Sequence, residues 1–326
     1  MSAGDGTGEC PACGETGVKT LFQGTDRLYG TTGKLFYVVE CVRCRLMRLD
    51  PQPGPVELRQ YYPPSYWYDA ETGNEVSTLA ELYRRIVIRD HVAFVDRAVN
   101  DVPVAQGAKR RVLDVGCGGG LLLHYLQRRG HRALGLDLSI DAARIAWQQN
   151  GVPAFCGTLS QVPLAEGTCD TVTMFHLLEH LYDPAGYLET AHRLLSPHGR
   201  LILQVPNAAC WQFLLLGEAW NGLDIPRHFW NFRPRDLEVL LDEAGFQIVR
   251  RKFFSLRDNP AGLATSLAPW LDPMARLIRG QKEPGWLALL KNGLYFGLVL
   301  ACLPFALLEA ACGAGSTIMV EARKKP

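Results

Sequence analysis

The stretch Arg111-Val-Leu-Asp-Val-Gly-Cys-Gly-Gly-Gly120 joins an apolar run to a glycine-rich turn, and helical spacing begins near Leu121. Small residues let a backbone approach a ligand closely, and a helix N-terminus offers N–H groups that lack helical partners. A second apolar run, Ala133-Leu-Gly-Leu-Asp137, ends in a carboxylate 23 positions after Asp114. Because an acid in that position commonly binds ribose hydroxyls, the pattern predicts a nucleotide-type site.

Short apolar strands alternate with helical stretches after Arg111, which is typical of a parallel sheet covered by helices. We predict strands at 111–115, 132–136, 153–156, 170–175, 200–205, 246–254 and 316–323. We predict helices at 119–129, 140–149, 183–195 and 234–244, and a preceding helix at 79–98. The predicted fold class is α/β, a Rossmann-like, doubly wound, mostly parallel seven-stranded sheet.

The ordered motifs resemble those of class I S-adenosylmethionine-dependent methyltransferases. After the glycine turn come Phe175-His-Leu-Leu-Glu-His180, Asp183-Pro184, His192-Arg-Leu-Leu-Ser-Pro-His-Gly-Arg-Leu-Ile-Leu203 and Glu243-Ala-Gly-Phe246. An acid followed by Gly-x-Gly-x-Gly differs from the Gly-x-Gly-x-x-Gly of dinucleotide enzymes. The resemblance covers residues 105–256 and the final strand, so a nicotinamide dehydrogenase is the least favoured alternative.

The resemblance implies S-adenosyl-L-methionine as the cofactor. It places Asp114 and Gly116 at the methionine end, Asp137 on the ribose hydroxyls, Leu138 on adenine, and Phe175 and His176 beside the cofactor. The full predicted set is Asp114, Gly116, Cys117, Gly118, Asp137, Leu138, Thr158, Phe175 and His176. Many relatives carry an Asp for the adenine amino group where Gly157-Thr158 stands here, so backbone groups or the Thr158 hydroxyl are expected to replace it. The alternative is that these residues only shape turns and core.

Methyl transfer requires donor and acceptor to be positioned, and a base if the acceptor carries a proton. His176, Glu179 and His180 follow the fourth strand on one helical face. In similar ubiquinone-pathway O-methyltransferases a Glu-x-x-Glu-His arrangement is linked to a divalent metal, but His176 replaces the first acid here. We expect His180 to be the base, and the alternative is a Glu179–His180 pair that only supports the loop.

A second cluster lies in residues 220–232, after the fifth strand. Arg227 could clamp a phosphate or carboxylate, and His228 is an alternative base. Trp220 and other aromatic residues could stack on a sugar or ring. The predicted acceptor residues are therefore Arg227, His228 and Trp220, and the alternative is an aromatic-packed joint without acceptor contact.

Two Cys-x-x-Cys pairs, Cys10/Cys13 and Cys41/Cys44, match the paired arrangement of a tetrahedral zinc ribbon. Four cysteines fill the coordination sphere, so we expect a structural Zn²⁺. The alternatives are redox dithiols or a metal-free ribbon. The segment from Val38 to Tyr62 resembles the ribbon of certain sugar C-methyltransferases, whose further C-terminal domain has no counterpart in this sequence.

The run from Trp286 to Leu308 is unusually apolar, and its uncharged part from Asn292 to Leu308 is marginal for a membrane span. If the flanking strands share one sheet, both ends of the insertion lie on one side of any membrane. The hypotheses are a re-entrant hairpin, a helix in the membrane interface, or a wall for a lipidic acceptor. The alternative is a helical hairpin packed on its own sheet or across a homodimer interface.

Thirty-four Lys and Arg oppose 33 Asp and Glu, so no nucleic-acid partner is expected. Residues 1–6 lack a secretory signal, and we predict a cytoplasmic protein, with a peripheral position at the inner membrane face as one option. The predicted domains are a zinc ribbon at 1–55, a helical connector or lid at 56–104 and a methyltransferase domain at 105–326, with its apolar insertion at about 258–314. The predicted activity is methyl transfer to a small or lipid-linked acceptor, with a saccharide among the options and O, N or C as the acceptor atom. The alternative is an inactive scaffold with the same fold.

Overall fold

The computed structural model describes residue 10, residues 12–63 and residues 78–326 of the chain. It divides into two compact units that interleave along the sequence. The first unit contains residues 1–66, 206–237 and 258–316, and the second contains residues 67–205, 238–257 and 317–326. The part of the predicted connector at 64–77 lies outside the described residues, and the predicted domain boundaries stay a prediction.

The described strands and helices are numbered in chain order. The strands are β1 (Val18–Gly24), β2 (Phe36–Cys41), β3 (Met47–Asp50), β4 (Arg111–Val115), β5 (Arg132–Asp137), β6 (Ala154–Cys156), β7 (Cys169–Phe175), β8 (Leu195–Pro206), β9 (Trp230–Asn231), β10 (Phe246–Lys252) and β11 (Thr317–Lys324). The helices are α1 (Pro55–Arg59), α2 (Thr78–Asn100), α3 (Leu121–Arg128), α4 (Ile140–Asn150), α5 (Pro184–Leu194), α6 (Trp211–Leu216), α7 (Pro234–Glu243), α8 (Asn259–Leu267), α9 (Pro273–Ile278) and α10 (Gly285–Ala311).

The second unit contains a seven-stranded sheet in the order β10-β11-β8-β7-β4-β5-β6. The pairs among β4 to β8 are parallel, whereas β10 and β11 pair antiparallel. Each of the seven predicted strands is present, which confirms the predicted fold class. Since the carboxyl ends of β4, β5 and β7 meet at one edge of this sheet, the loops that follow them come together there.

Helix α2 packs on this sheet through buried residues that include Val92, Val95 and Val99. They join Leu123 of α3 and Ile202 of β8 in one apolar cluster. Burial of such side chains, at roughly 25 cal/mol per Å² of apolar surface, is what holds a helix against a sheet. This cluster fixes the start of α3, and therefore the glycine turn that precedes it.

The first unit contains a four-stranded sheet in the order β1-β2-β3-β9. Strands β1 to β3 form antiparallel pairs in the predicted ribbon, and β9 joins them from far along the chain through Met47↔Asn231 and Arg48↔Trp230. The predicted apolar insertion forms α8, α9 and α10, and Leu263 and Ala264 of α8 pack on Val299 of α10.

Candidate active site and cysteine cluster

The glycine turn after β4 adopts backbone conformations that side chains rarely reach. Gly116, Gly118 and Gly120 have φ values of 76°, 51° and 73°. A Cβ on Gly120 would lie 2.9 Å from the Ala146 side chain, whereas a Cβ on Gly118 would meet no atom within 4 Å. Gly120 therefore permits close packing of the turn, and Gly118 leaves its backbone open to a ligand.

Asp137 ends β5 and ties the second loop to the first. Its two carboxylate oxygens accept hydrogen bonds from the backbone N–H groups of Gly118 (2.9 Å) and Ser139 (2.8 Å). Burial raises the pKa of Asp137, and the bonds from Ser139 and Gly118 lower it in part. The structure thus brings the predicted ribose acid into contact with the glycine turn.

Asp114, in β4, is also buried and has an unusual pKa. Burial raises the pKa of its carboxyl to about 7, the hydrogen bond from Thr173 lowers it, and the charge of Asp137 raises it. The Thr173 hydroxyl donates to Asp114 Oδ1 at 2.5 Å. Two buried carboxyl groups in one site favour a cation, because a nearby positive charge would stabilise both ionised forms.

The residues predicted to bind adenine offer an exposed apolar side chain and polar groups. Leu138 is 65% exposed directly after Asp137. The Gly157 N–H donates to the Asp137 carbonyl at 2.9 Å, which places the loop after β6 beside the predicted ribose-binding acid. The Thr158 hydroxyl donates to Gln161 Oε1 at 3.0 Å and caps a short helical turn. Its oxygen lone pairs can still accept a hydrogen bond.

His176 occupies a strained position after β7. It has a φ of 50°, which is costly for a residue with a side chain. Its Nε2 accepts from the Gln204 amide at 2.8 Å, and its Nδ1 lies 3.3 Å from Glu179 Oε1. Since both ring nitrogens are engaged, the geometry suits His176 to orienting the buried Glu179.

Phe175, just before His176, packs its ring edge-to-face on buried His91 at 5.2 Å between centroids. His180 ends the short helical turn Leu178–His180 and is half-buried. Ligand atoms of His180 and Glu179 lie within 4.8 Å of each other. The second unit therefore groups the predicted base with a buried acid.

Arg227, in the first unit, is fully buried between two carboxylates. Its guanidinium donates to Asp26 at 2.9 Å, to Asp224 at 2.6 Å and to the Tyr61 carbonyl at 3.2 Å. Nε also donates to Asp224, so all five N–H donors are used. The ring of Tyr29 lies 4.4 Å from the guanidinium carbon. This geometry gives Arg227 a structural role in place of the predicted anion clamp.

The other two predicted acceptor residues are also largely buried. His228 is 8% exposed, and its Nδ1 lies 2.8 Å from the Gly222 carbonyl. That contact requires a proton on Nδ1, which leaves the Nε2 lone pair able to accept. Trp220 is 3% exposed and stacks obliquely on Phe213 at 5.2 Å between ring centroids, which is a packing role.

The four predicted metal ligands converge. The sulfur atoms of Cys10, Cys13, Cys41 and Cys44 all lie within 4.8 Å of one another. The Cys10–Cys44 and Cys13–Cys41 sulfurs are each 3.6 Å apart. Tetrahedral zinc with bonds of about 2.3 Å would separate its sulfurs by about 3.8 Å. The donor set and its dimensions therefore fit Zn²⁺.

Three polar residues that bond to predicted site residues were not predicted from the sequence. Thr173 is a polar residue in a buried central strand, and Gln204 interrupts an apolar run in the next one. Both are signals that a buried polar partner exists nearby. Asp26 gave no comparable signal, because its partner Arg227 is 201 positions away.

A family model described as a methyltransferase domain matches residues 83–251. The chain is 30% identical over 188 residues to a ubiquinone biosynthesis O-methyltransferase of Pseudomonas aeruginosa (strain UCBPP-PA14), covering 54% of this chain and 80% of that protein. It is 34% identical over 153 residues to the protein of that name from Xanthomonas euvesicatoria pv. vesicatoria, covering 43% of this chain and 64% of that one.

Among solved structures, the [4+2]-cyclase SpnF shares this fold with a TM-score of 0.50 and 19% identity, covering 84% of this chain and 98% of that chain. The sequence matches are consistent with the fold and with the polar residues at the sheet edge. The chain belongs to the S-adenosylmethionine-dependent methyltransferase family.

Proposed function

We propose that this methyltransferase transfers the methyl group to a hydroxyl of a small or lipid-linked acceptor, with a lipid-linked saccharide as one class to test. The observation that carries the proposal is the grouping of polar residues at the carboxyl ends of β4, β5 and β7. A hydroxyl acceptor is supported by the O-methyltransferase names of the relatives.

The residues of the glycine turn fit the cofactor. S-adenosylmethionine supplies an electrophilic methyl group on a positively charged sulfonium. Asp114 would stabilise the cationic methionine end, Asp137 would accept from the ribose hydroxyls, and the open backbone at Gly118 would allow close approach. Cys117 would contribute its backbone at the same turn. Leu138 would cover one adenine face, and the Thr158 oxygen would accept from the adenine amino group.

His180 is the proposed general base, with buried Glu179 beside it to stabilise the imidazolium that forms. His176 is a positioning residue that holds Glu179, and the ring of Phe175 helps to enclose the cofactor. His228 is the alternative base, because its Nε2 retains a lone pair. A divalent metal held by Glu179 and His180 is the remaining option for activating the acceptor.

In the first unit we propose a structural Zn²⁺ at the four cysteines, with Trp220 and Arg227 maintaining the fold around His228. Peripheral contact with the cytoplasmic face of a membrane through residues 286–308 would bring the enzyme to a lipid-linked acceptor. The exposed leucines of that segment support the proposal, and homodimerisation through them is the alternative.

Titration calorimetry with S-adenosylmethionine and, separately, NADH tests the cofactor assignment. We expect micromolar affinity for the first, about 8 kcal/mol of binding free energy, and no binding of NADH. Transfer from radiolabelled S-adenosylmethionine to phenols, catechols, sugars and polyprenyl-linked saccharides then tests the acceptor. Cofactor binding without transfer to any of them would favour the inactive scaffold.

His180→Ala should preserve cofactor binding and lower kcat by about 10²–10⁴-fold, which is the usual contribution of a general base. Added imidazole should restore part of the rate. The matched control is His198→Ala, since His198 is exposed at the start of β8, opposite the carboxyl-end site. An unchanged rate in His180→Ala would move the assignment to His228.

A further inference from the structure

Helix α10 is much more apolar than its burial explains. Within the part of the chain that the structure describes, it is the one helix long and apolar enough to cross a membrane by length and composition, with a mean hydropathy of 2.0. Only 22% of its most apolar window is buried. A helix that is apolar on all sides normally lies in a protein core or in lipid. We therefore expect the exposed side of α10 to contact lipid or another protein surface.

One face of α10 packs against the rest of the first unit. Val299, Cys302, Ala306 and Glu309 are buried at helical spacing, and α8 packs against this face. The opposite face exposes Trp286 and six leucines between residues 289 and 308. The fully buried positions lie in the second half of the helix, from Val299 to Glu309. A helix held against protein over that half is better suited to lying along the surface of a bilayer than to crossing one.

Neighbouring segments extend this exposed surface. Leu214 and Leu215 of α6 are 74% and 71% exposed, and the next residue, Leu216, packs on the α8–α10 cluster. Trp211 at the start of α6 contacts Phe305 of α10, with ring centroids 6.3 Å apart. We call the exposed faces of α6 and α10 the apolar surface.

The charged groups around α10 are satisfied inside the protein. Glu283 accepts from Lys291 at 2.5 Å and from Arg276 at 2.9 Å. Glu309 is fully buried and accepts from the backbone and the side chain of Gln212, both at 2.9 Å. Lipid offers no hydrogen bonds, so internal pairing is what a helix immersed at its surface requires.

The charge beside the apolar surface selects a lipid class. Residues 272–311 contain four cations (Arg276, Arg279, Lys282 and Lys291) and three acids (Asp272, Glu283 and Glu309), an excess of one positive charge. Exposed Lys282 lies just before α10 and close in sequence to Trp286, an arrangement typical of an interfacial anchor. A cation near an anionic leaflet contributes about 1 kcal/mol of attraction.

We propose that the apolar surface binds an anionic phospholipid bilayer, with α10 lying in the interface and Lys282 among the headgroups. The insertion begins after β10 and ends before β11, and these two strands pair with each other. Both ends of the insertion therefore lie on the same side of the bilayer. The inference deepens the peripheral membrane contact proposed above, and it does not require methyl transfer.

The test is flotation of the full-length protein with vesicles of phosphatidylcholine alone or mixed equally with phosphatidylglycerol. We expect binding to the mixed vesicles and at least tenfold weaker binding by Leu289→Glu/Leu300→Glu. The matched control Val56→Glu changes an exposed side chain on α1 and should bind as the wild type does. Lys282→Gln should weaken binding to mixed vesicles only.

Wild-type protein that binds neither vesicle, or a double variant that floats unchanged, would overturn the proposal. Wild-type dimers that become monomers in the double variant, without vesicle binding, would assign the apolar surface to a second copy of the chain. Cofactor titration of the same samples separates the two hypotheses: lost S-adenosylmethionine binding in the wild type would refute the proposed function and leave the flotation result standing.

Discussion

Two buried acidic sites, Asp26 in the first unit and the Asp114–Asp137 pair in the second, are neutralised differently. In the first unit, burial raises the pKa of Asp26, yet the hydrogen bonds and charge of Arg227 outweigh it and the net pKa is lowered. In the second, Asp114 and Asp137 are stabilised by a hydroxyl and by backbone N–H groups, and their pKa values are raised. The pairing of Asp26 with an internal cation suits a structural role, whereas Asp114 and Asp137, stabilised by neutral dipoles beside the open glycine turn, are suited to a cationic ligand.

The cysteine cluster would be the strongest case of internal compensation, because four thiolates would be neutralised by the proposed Zn²⁺. Cys41→Ser/Cys44→Ser should reduce zinc from one ion to nearly none per chain and unfold β1 to β3. Metal analysis and circular dichroism measure these changes. The control Cys312→Ser alters an exposed thiol and should change neither. Full zinc content in the double variant would refute coordination at this cluster.

Removing the internal cation should be costly. Arg227→Met leaves buried Asp26 and Asp224 without their partner, and we expect a loss of about 3–5 kcal/mol in the free energy of unfolding. Denaturant unfolding measures it. In the control Arg251→Met the lost pair with Glu238 is exposed, so about 1 kcal/mol or less is expected. A stable Arg227→Met enzyme with only a raised acceptor KM would restore the anion-clamp hypothesis.

For Asp137, which has no internal cation as a partner, we expect substitution to lower cofactor affinity and leave the free energy of unfolding intact. Asp137→Asn should weaken S-adenosylmethionine binding about 100-fold, or about 2.7 kcal/mol, while stability stays the same or rises. Calorimetry and thermal unfolding of the same preparation give both quantities. Asp141→Asn, an exposed acid at the start of α4, is the control. Equal cofactor affinity in Asp137→Asn would remove this residue from the site.

The smallest expected effect is a pH dependence of cofactor affinity and of stability, both caused by Asp114. With its pKa at about 7, Asp114 is largely protonated at pH 6 and ionised at pH 8, so cofactor affinity should rise about tenfold over that range. Stability should change in the opposite direction. The folded pKa exceeds the unfolded value of about 3.9, so the stabilising contribution is complete below that value and is lost as pH rises through about 7. Asp114→Asn should remove both trends, and a pH-independent wild-type affinity would contradict the assignment.

Local patterns predicted the parallel sheet well because strand, turn and helix signals lie within a few residues of one another. The turn at Gly116–Gly120 and the acid at Asp137 both depend on such short-range order. The pairing of β3 with β9 and the contact of Asp26 with Arg227 depend on residues far apart in the chain. The sequence suggested Arg227 as a clamp for an anionic acceptor, and it could not reveal which acids of the chain surround it.

The position of β11 has a consequence for synthesis. It lies between β8 and β10, although the chain from Asn207 to Ser316 is made after β8 is complete. At about 5–20 residues per second, the β8 edge waits on the order of ten seconds for its neighbour on the ribosome. During that interval the sheet remains open, so a chaperone would meet an unpaired strand edge in the nascent chain.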